Sequence, residues 1–213
     1  MNISENQLVE LLKEKGMRII IAKDKIYHDY RIVADTPLYS YEGISLISNK
    51  WSLCIFDKER SNGEMEVLKQ FSSKEEAITY WFIRKIYRFF MDSFVIPSRN
   101  REIKNWTVNT VVEEMKRIGI PLTYLSYGDK VNKNSILFSK ENDKWLSGYV
   151  NHKEELVFKT NNGTSDDNWY LSLFGNRIYT LYLFDLYTEE LNKREINIKK
   201  ITDQERLILL GYE

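Results

Sequence analysis

A single cysteine, Cys54, excludes an intrachain disulfide framework and any multi-cysteine zinc site. Two histidines, His28 and His152, are too few for a histidine-rich metal site. Charge of one sign is also missing, since 31 basic residues meet 31 acidic ones with no long block of either. General nucleic-acid binding needs a basic face that displaces counterions, and this composition argues against one. No apolar run approaches the roughly 18–20 residues that span a bilayer. The longest, residues 178–186, is broken by Asp185. The first residues, Met-Asn-Ile-Ser-Glu-Asn, lack the basic and then apolar pattern of a secretory signal. A cytoplasmic protein without a membrane partner is therefore expected. Three prolines and nine glycines leave little room for low-complexity linkers. The phosphate-cradling loop, the dinucleotide glycine fingerprint, the zincin histidine pair, the serine-hydrolase elbow and a paired Cys-x-x-Cys are all lacking. No catalytic residue, cofactor or metal ligand is assigned, and a non-enzyme is expected.

What the chain does contain is a repeat. Leu8 to Gly16 (Leu-Val-Glu-Leu-Leu-Lys-Glu-Lys-Gly) is echoed by Val111 to Gly119 (Val-Val-Glu-Glu-Met-Lys-Arg-Ile-Gly). Asn49-Lys50-Trp51 returns as Asp143-Lys144-Trp145, and Arg84-Lys85-Ile86-Tyr87 as Asn176-Arg177-Ile178-Tyr179. The order is the same in both copies, and the spacing shrinks as loops between the landmarks shorten. A repeat of this kind organises the whole fold.

In the first copy, Ser4 and Gln7 have capping-box spacing, and Leu8, Leu11 and Leu12 follow at helical spacing up to Gly16. Extended stretches are expected over 17–23, 26–34, 44–48, 51–57 and 65–71. Asn49-Lys50 and Asn62-Gly63 are the expected tight turns. Ser72 to Glu76 caps a helix running to about Phe94. The second copy opens with a helix over 107–118 ended by Gly119. Strands over 122–127, 135–139, 145–150 and 156–159 follow, then a helix over 167–191. The expectation is an α+β fold of two tandem α-β-β-β-(β)-α repeats, each a mostly antiparallel sheet with flanking helices. The first repeat takes 1–96, a linker 97–105 and the second repeat 106–192. Residues 193–213 form a C-terminal strand and helix expected to pack on the second repeat. The last helix of each repeat is apolar around most of its circumference, beyond the usual stripe. Packing of these helices on each other is expected, with a homodimer surface as the alternative.

Several individual residues have an ordinary structural role beside a chemical one. His28 next to Asp29 suggests proton transfer, but adjacent strand residues point to opposite faces, which favours a strand-edge histidine. His152 lies in a turn. Cys54 sits in an apolar strand, where a buried thiol behaves as a small hydrophobe. Arg84, Lys85 and Arg88 form a basic cluster consistent with a solvated helix edge. The candidate partner-binding residues are Tyr39, Tyr41, Glu42, Asp57, Glu59, Glu64 and Glu66. Aromatics bury area and acids steer a basic partner, whereas the competing reading is a plain solvated hairpin.

Lys50-Trp51 and Lys144-Trp145, the stretch Gln70 to Ala77 and the two Ile-Tyr helices resemble small immunity proteins of polymorphic or contact-dependent toxin systems in Gram-positive bacteria. The tandem arrangement departs from the single-module form expected of that family. The resemblance implies a cytoplasmic protein that binds the C-terminal domain of a cognate toxin and blocks it without catalysis. Against a nuclease toxin, an acidic and aromatic patch would complement a basic substrate groove. A small hydrolase using dispersed carboxylates and a homo-oligomeric structural or regulatory protein are the alternatives. The hydrolase requires a pocket lined by carboxylates, or by His28 with an acid.

Overall fold

The computed structural model describes residues 1, 3–29, 40–57, 65–100, 102–160, 167–196 and 201–212, with side chains left aside at 40, 41, 56, 57 and 167–174. The fold is α+β, with two separate sheets. The chain divides into two compact units, Met1–Ile86 and Tyr87–Glu213.

The first unit opens with α1 (Glu5–Glu14). Its N-cap Ser4 accepts from the Gln7 backbone N–H, and Gln7 returns the bond to Ser4, so two otherwise unpaired donors are satisfied. Leu8, Leu11 and Leu12 form the buried stripe of this helix. Five strands follow in sequential, fully antiparallel order: β1 (Ile19–Ala22), β2 (Lys25–His28), β3 (Ser40–Ile47), β4 (Lys50–Asp57) and β5 (Met65–Phe71). Gly43 lets β2 and β3 approach closely, because a Cβ there would stand 2.4 Å from the Ile26 carbonyl oxygen. The chain then enters α2 (Lys74–Phe90), where Ser73 Oγ accepts from Glu76 N–H and the Glu76 carboxylate accepts from Ser72. Trp81, Phe82, Ile83 and Ile86 of α2 join Ile26, Ile44 and Leu53 of the sheet in the core.

In the second unit the end of α2 passes into a π-helical turn (Met91–Val95) and the short α3 (Ile96–Ser98). The start of the expected linker is therefore helical. Next come α4 (Val108–Ile118), capped by Thr107 and ended by Gly119 at φ 84°, and a 3₁₀ turn (Leu122–Tyr124). The sheet is β6 (Leu125–Tyr127), β7 (Ser135–Glu141), β8 (Lys144–Val150) and β9 (Leu156–Lys159), in sequential order with β6 parallel to β7 and the rest antiparallel. It is covered by α5 (Asp167–Lys193), whose Ile178, Leu181, Phe184 and Leu191 are fully buried, and by α6 (Asp203–Leu210). The C-terminal segment packs on the second unit as expected. Tyr212 stacks on Phe158 with ring centroids 4.5 Å apart, and its hydroxyl donates to Ser147 Oγ at 2.8 Å.

Several details depart from expectation. The tight turn before Lys50 is Ser48-Asn49, both at positive φ (48° and 64°), one residue earlier than Asn49-Lys50. Two such residues make the turn whose twist suits a hairpin. β2 is described over Lys25–His28, and the rest of the stretch expected to Ala34 falls within 30–39, outside the described residues. The strand expected over 122–127 is halved by the 3₁₀ turn after Pro121. The Asn62-Gly63 turn, Asn161 to Asp166 and residues 197–200 also lie outside the described residues. Cover of the aromatic helices is incomplete, with Tyr87, Phe94 and Leu186 all exposed.

Candidate functional site

Backbone register in the first sheet brings the nominated residues to one end. Ser40 faces Asp57, Tyr41 faces Phe56, and Glu42 faces Ile55, which in turn faces Glu66. Glu66 is exposed. Glu42 is not a free acid: it lies 3.4 Å from Arg84 Nε and 3.5 Å from Lys85 Nζ, and only 24% of its side chain is exposed. Tyr41 and Asp57 are placed by backbone alone, and Tyr39, Glu59 and Glu64 lie outside the described residues.

The register also shows what period-two reasoning missed. β5 is an edge strand among the described elements, and its first four residues are exposed on both faces. Met65, Val67 and Leu68 are 39%, 41% and 43% exposed. The ladder shifts register opposite Leu53/Cys54, where Leu68 is the extra residue on β5. A bulge of this kind lets side chains of both alternation classes reach solvent. β9, at the edge of the second sheet, likewise exposes Leu156 and Val157. Apolar edges with unpaired backbone groups are templates for strand addition. The sequence signal was the adjacent pair Val67-Leu68, which breaks the alternation of an ordinary half-buried strand.

Near Glu42 lies a group of titratable side chains. His28 is half-buried, and burial first, then the Lys85 charge, brings its pKa down from 6.5 to about 4. Asp29 is buried, with Arg18 Nε 3.8 Å from its carboxylate. Lys85 is buried too, its ammonium 5.3 Å from the Trp81 ring centroid. Acid, histidine and amine thus meet, but neither cavity described below is lined by them, and the hydrolase alternative requires a pocket. An imidazole with so low a pKa is also a poor proton acceptor near neutrality, and the Glu42 charge is already matched. Because the folded-state pKa of His28 lies below its unfolded value, protonation favours the unfolded chain. Its contribution is complete above about pH 6.5 and is lost as the pH falls towards about 4. Urea denaturation across that range should show stability rising with pH, and His28→Gln should flatten the slope. An unchanged slope in the variant would contradict the buried neutral imidazole.

Cys54 is buried, its thiol pKa raised chiefly by burial, and its Sγ donates to the Ser52 carbonyl at 3.4 Å. Neither nucleophilic activation nor a grouping of three metal-binding side chains occurs among the described residues. Nor is any described helix long and apolar enough to cross a membrane.

Among the described residues of the second unit lie two cavities that sequence reasoning did not find. One, of about 240 Å³, lies among the segment 95–106, α4 and α5, with apolar walls from Ile103, Trp106, Val111, Met115, Ile118 and Ile120. Glu114 also lines it, but Arg117 holds that carboxylate with bonds of 2.7 to 3.1 Å. The other, of about 220 Å³, is lined by Arg99, Arg177, Thr180 and residues near the end of α6. Asn176 and Arg99 line both.

The chain matches no protein-family model, no curated protein and no solved structure.

Proposed function

We propose that this protein is a non-enzymatic immunity protein that binds and neutralises a cognate bacterial toxin domain, built by tandem duplication of one α+β module. The observation that carries the reading is β5, an apolar strand exposed on both faces at a sheet edge, with the acid Glu66 within it. A partner that adds a strand there satisfies its own backbone groups and covers Met65, Val67 and Leu68 in one step. A basic toxin surface would be drawn to Glu66 and to the neighbouring acids of the 57–66 hairpin.

The duplication is supported by local geometry common to both units. The Lys-Trp strand starts follow turns of matching shape, Ser48-Asn49 at φ 48° and 64° and Asn142-Asp143 at φ 49° and 60°. The ladders agree as well, with Leu46 facing Trp51 and Lys140 facing Trp145. β1 runs in the same sense as β3, two antiparallel steps away, just as β6 runs parallel to β7. On this reading β2 is a strand inserted into the first copy.

Co-expression with the product of the neighbouring gene tests the proposal. Co-purification of a stable complex and rescue of growth from that product's toxicity are expected. Absence of both would sink it. The homo-oligomeric alternative also draws on the β5 edge, and it predicts concentration-dependent mass in light scattering without any added partner.

A further inference from the structure

Every described arginine except two stands within ion-pair distance of a carboxylate. Arg18 has Asp29, Arg84 has Glu42, Arg88 has Asp92, Arg117 has Glu114, Arg194 has Glu190 and Arg206 has Asp185. The exceptions among the described residues are Arg99 and Arg177, and both line the same cavity of the second unit. The hydrogen-bond acceptors of Arg177 are neutral: Nη1 donates to Ser147 Oγ at 2.8 Å and to the Tyr212 hydroxyl at 3.1 Å. The Tyr212 ring lies under the guanidinium at 4.4 Å. These contacts hold Arg177 in place without neutralising it, which is how a guanidinium is prepared for a planar oxyanion.

Asn176 adds a second signal. The residue is only 8% exposed. It lines this cavity and the neighbouring apolar one alike. No acidic residue lines the cationic cavity. In the apolar cavity the single acid, Glu114, is already paired with Arg117. Cationic and amide groups therefore border an apolar chamber, an arrangement that matches small-ligand sites in which a few polar groups fix the orientation of an apolar body.

We infer that the second unit binds a small amphiphilic anion, its apolar body in the chamber walled by Trp106, Val111 and Met115 and its carboxylate or phosphate held by Arg99, Arg177 and Asn176. This site belongs to the second unit and is independent of β5.

Titration calorimetry on the full chain, with octanoate, octyl phosphate and octanol as probes, tests the assignment. At least one anion should bind, and octanol should bind more weakly by on the order of tenfold, the share expected of charge-assisted bonds. The tighter of the two anions identifies the head group as carboxylate or phosphate. Arg99→Gln alters an exposed side chain and should weaken the anion by roughly tenfold. Gly175→Leu places a side chain where a Cβ meets no atom within 4 Å, so it should fill the apolar chamber and block binding while the helical circular dichroism persists. The inference is overturned if neither anion binds at millimolar concentration or octanol binds as tightly. It is equally overturned if either variant keeps the wild-type affinity.

Discussion

If the proposed toxin partner adds a strand at β5, replacing Val67 and Leu68 together with lysine should abolish its capture while the thermal midpoint of the protein stays nearly unchanged. Both side chains are already more than two-fifths exposed, so little core packing is lost, and surface changes of this kind stay within about 0.5 kcal/mol each. The proposed partner, by contrast, would meet two ammonium groups on the edge it must pair with. Lysine on an edge strand is a device that natural sheets use to prevent strand addition. Loss of the apolar anchors together with this charge should weaken the complex at least about a hundredfold, close to 3 kcal/mol. A pull-down calibrated by calorimetry measures it. Capture at wild-type strength would remove β5 as the docking edge. Leu156→Lys with Val157→Lys on β9 is the matched control, because it changes the corresponding edge of the second sheet.

Arg206→Met destabilises the second unit by about 3–5 kcal/mol at neutral pH, the usual cost of stranding one partner of a buried pair. Arg206 on α6 reaches Asp185 on α5 with Nη1 2.7 Å from Oδ1, and both side chains are largely buried. Against the burial that raises the pKa of Asp185, the Arg206 charge lowers it. The Tyr124 hydroxyl donates to the other carboxylate oxygen at 3.0 Å. Burial raises the pKa of Asp185 in spite of these two partners. A carboxylic acid whose pKa is higher folded than unfolded binds protons more readily in the folded state. Its charge therefore costs most above the folded pKa, and acid relieves that cost. Without Arg206 the pKa climbs further, so the deficit of the variant should shrink as pH falls through the carboxylate range. Asp185→Asn combined with Arg206→Met should recover much of the loss. Chemical denaturation of the single and double variants at two pH values decides the matter, and a pH-independent deficit would show that packing, not charge, is what Arg206 supplies.

The local features were the legible ones. The capping box at Ser4, the cap of α2 within Ser72 to Glu76 and the left-handed stop at Gly119 need only neighbouring residues, and all appear where spacing places them. The first hairpin was misplaced by one residue because Asn49-Lys50 looks like a turn in isolation. Set beside Asn142-Asp143, which occupies the equivalent place, Ser48-Asn49 becomes the better choice. Glu42 shows the limit from the other side. Its partners Arg84 and Lys85 lie more than forty residues along the chain, and only the crossing of α2 over β3 decides that this acid is occupied. The unpaired arginines follow the same logic. Arg99 and Arg177 look like any other charged positions until the carboxylates have been matched to the remaining arginines in space. Asp185, by contrast, left a trace, as the one acid in an otherwise apolar run.

The direction of β6 governs the order in which the second sheet can be assembled. β7 and β8 are joined by a two-residue turn and can zip from it, whereas β6 and β7 are parallel and cannot start as a hairpin. The chain between them must double back along the length of β6 before Leu125 meets Ile136. Asn132 ties down this return, its amide donating to the Leu125 carbonyl at 2.6 Å and its backbone N–H to Ser126 Oγ at 2.8 Å. The hairpin is therefore expected to form first, with β6 added to its finished flank. Local opening of the native protein should run in reverse, releasing β6 while the hairpin stays closed.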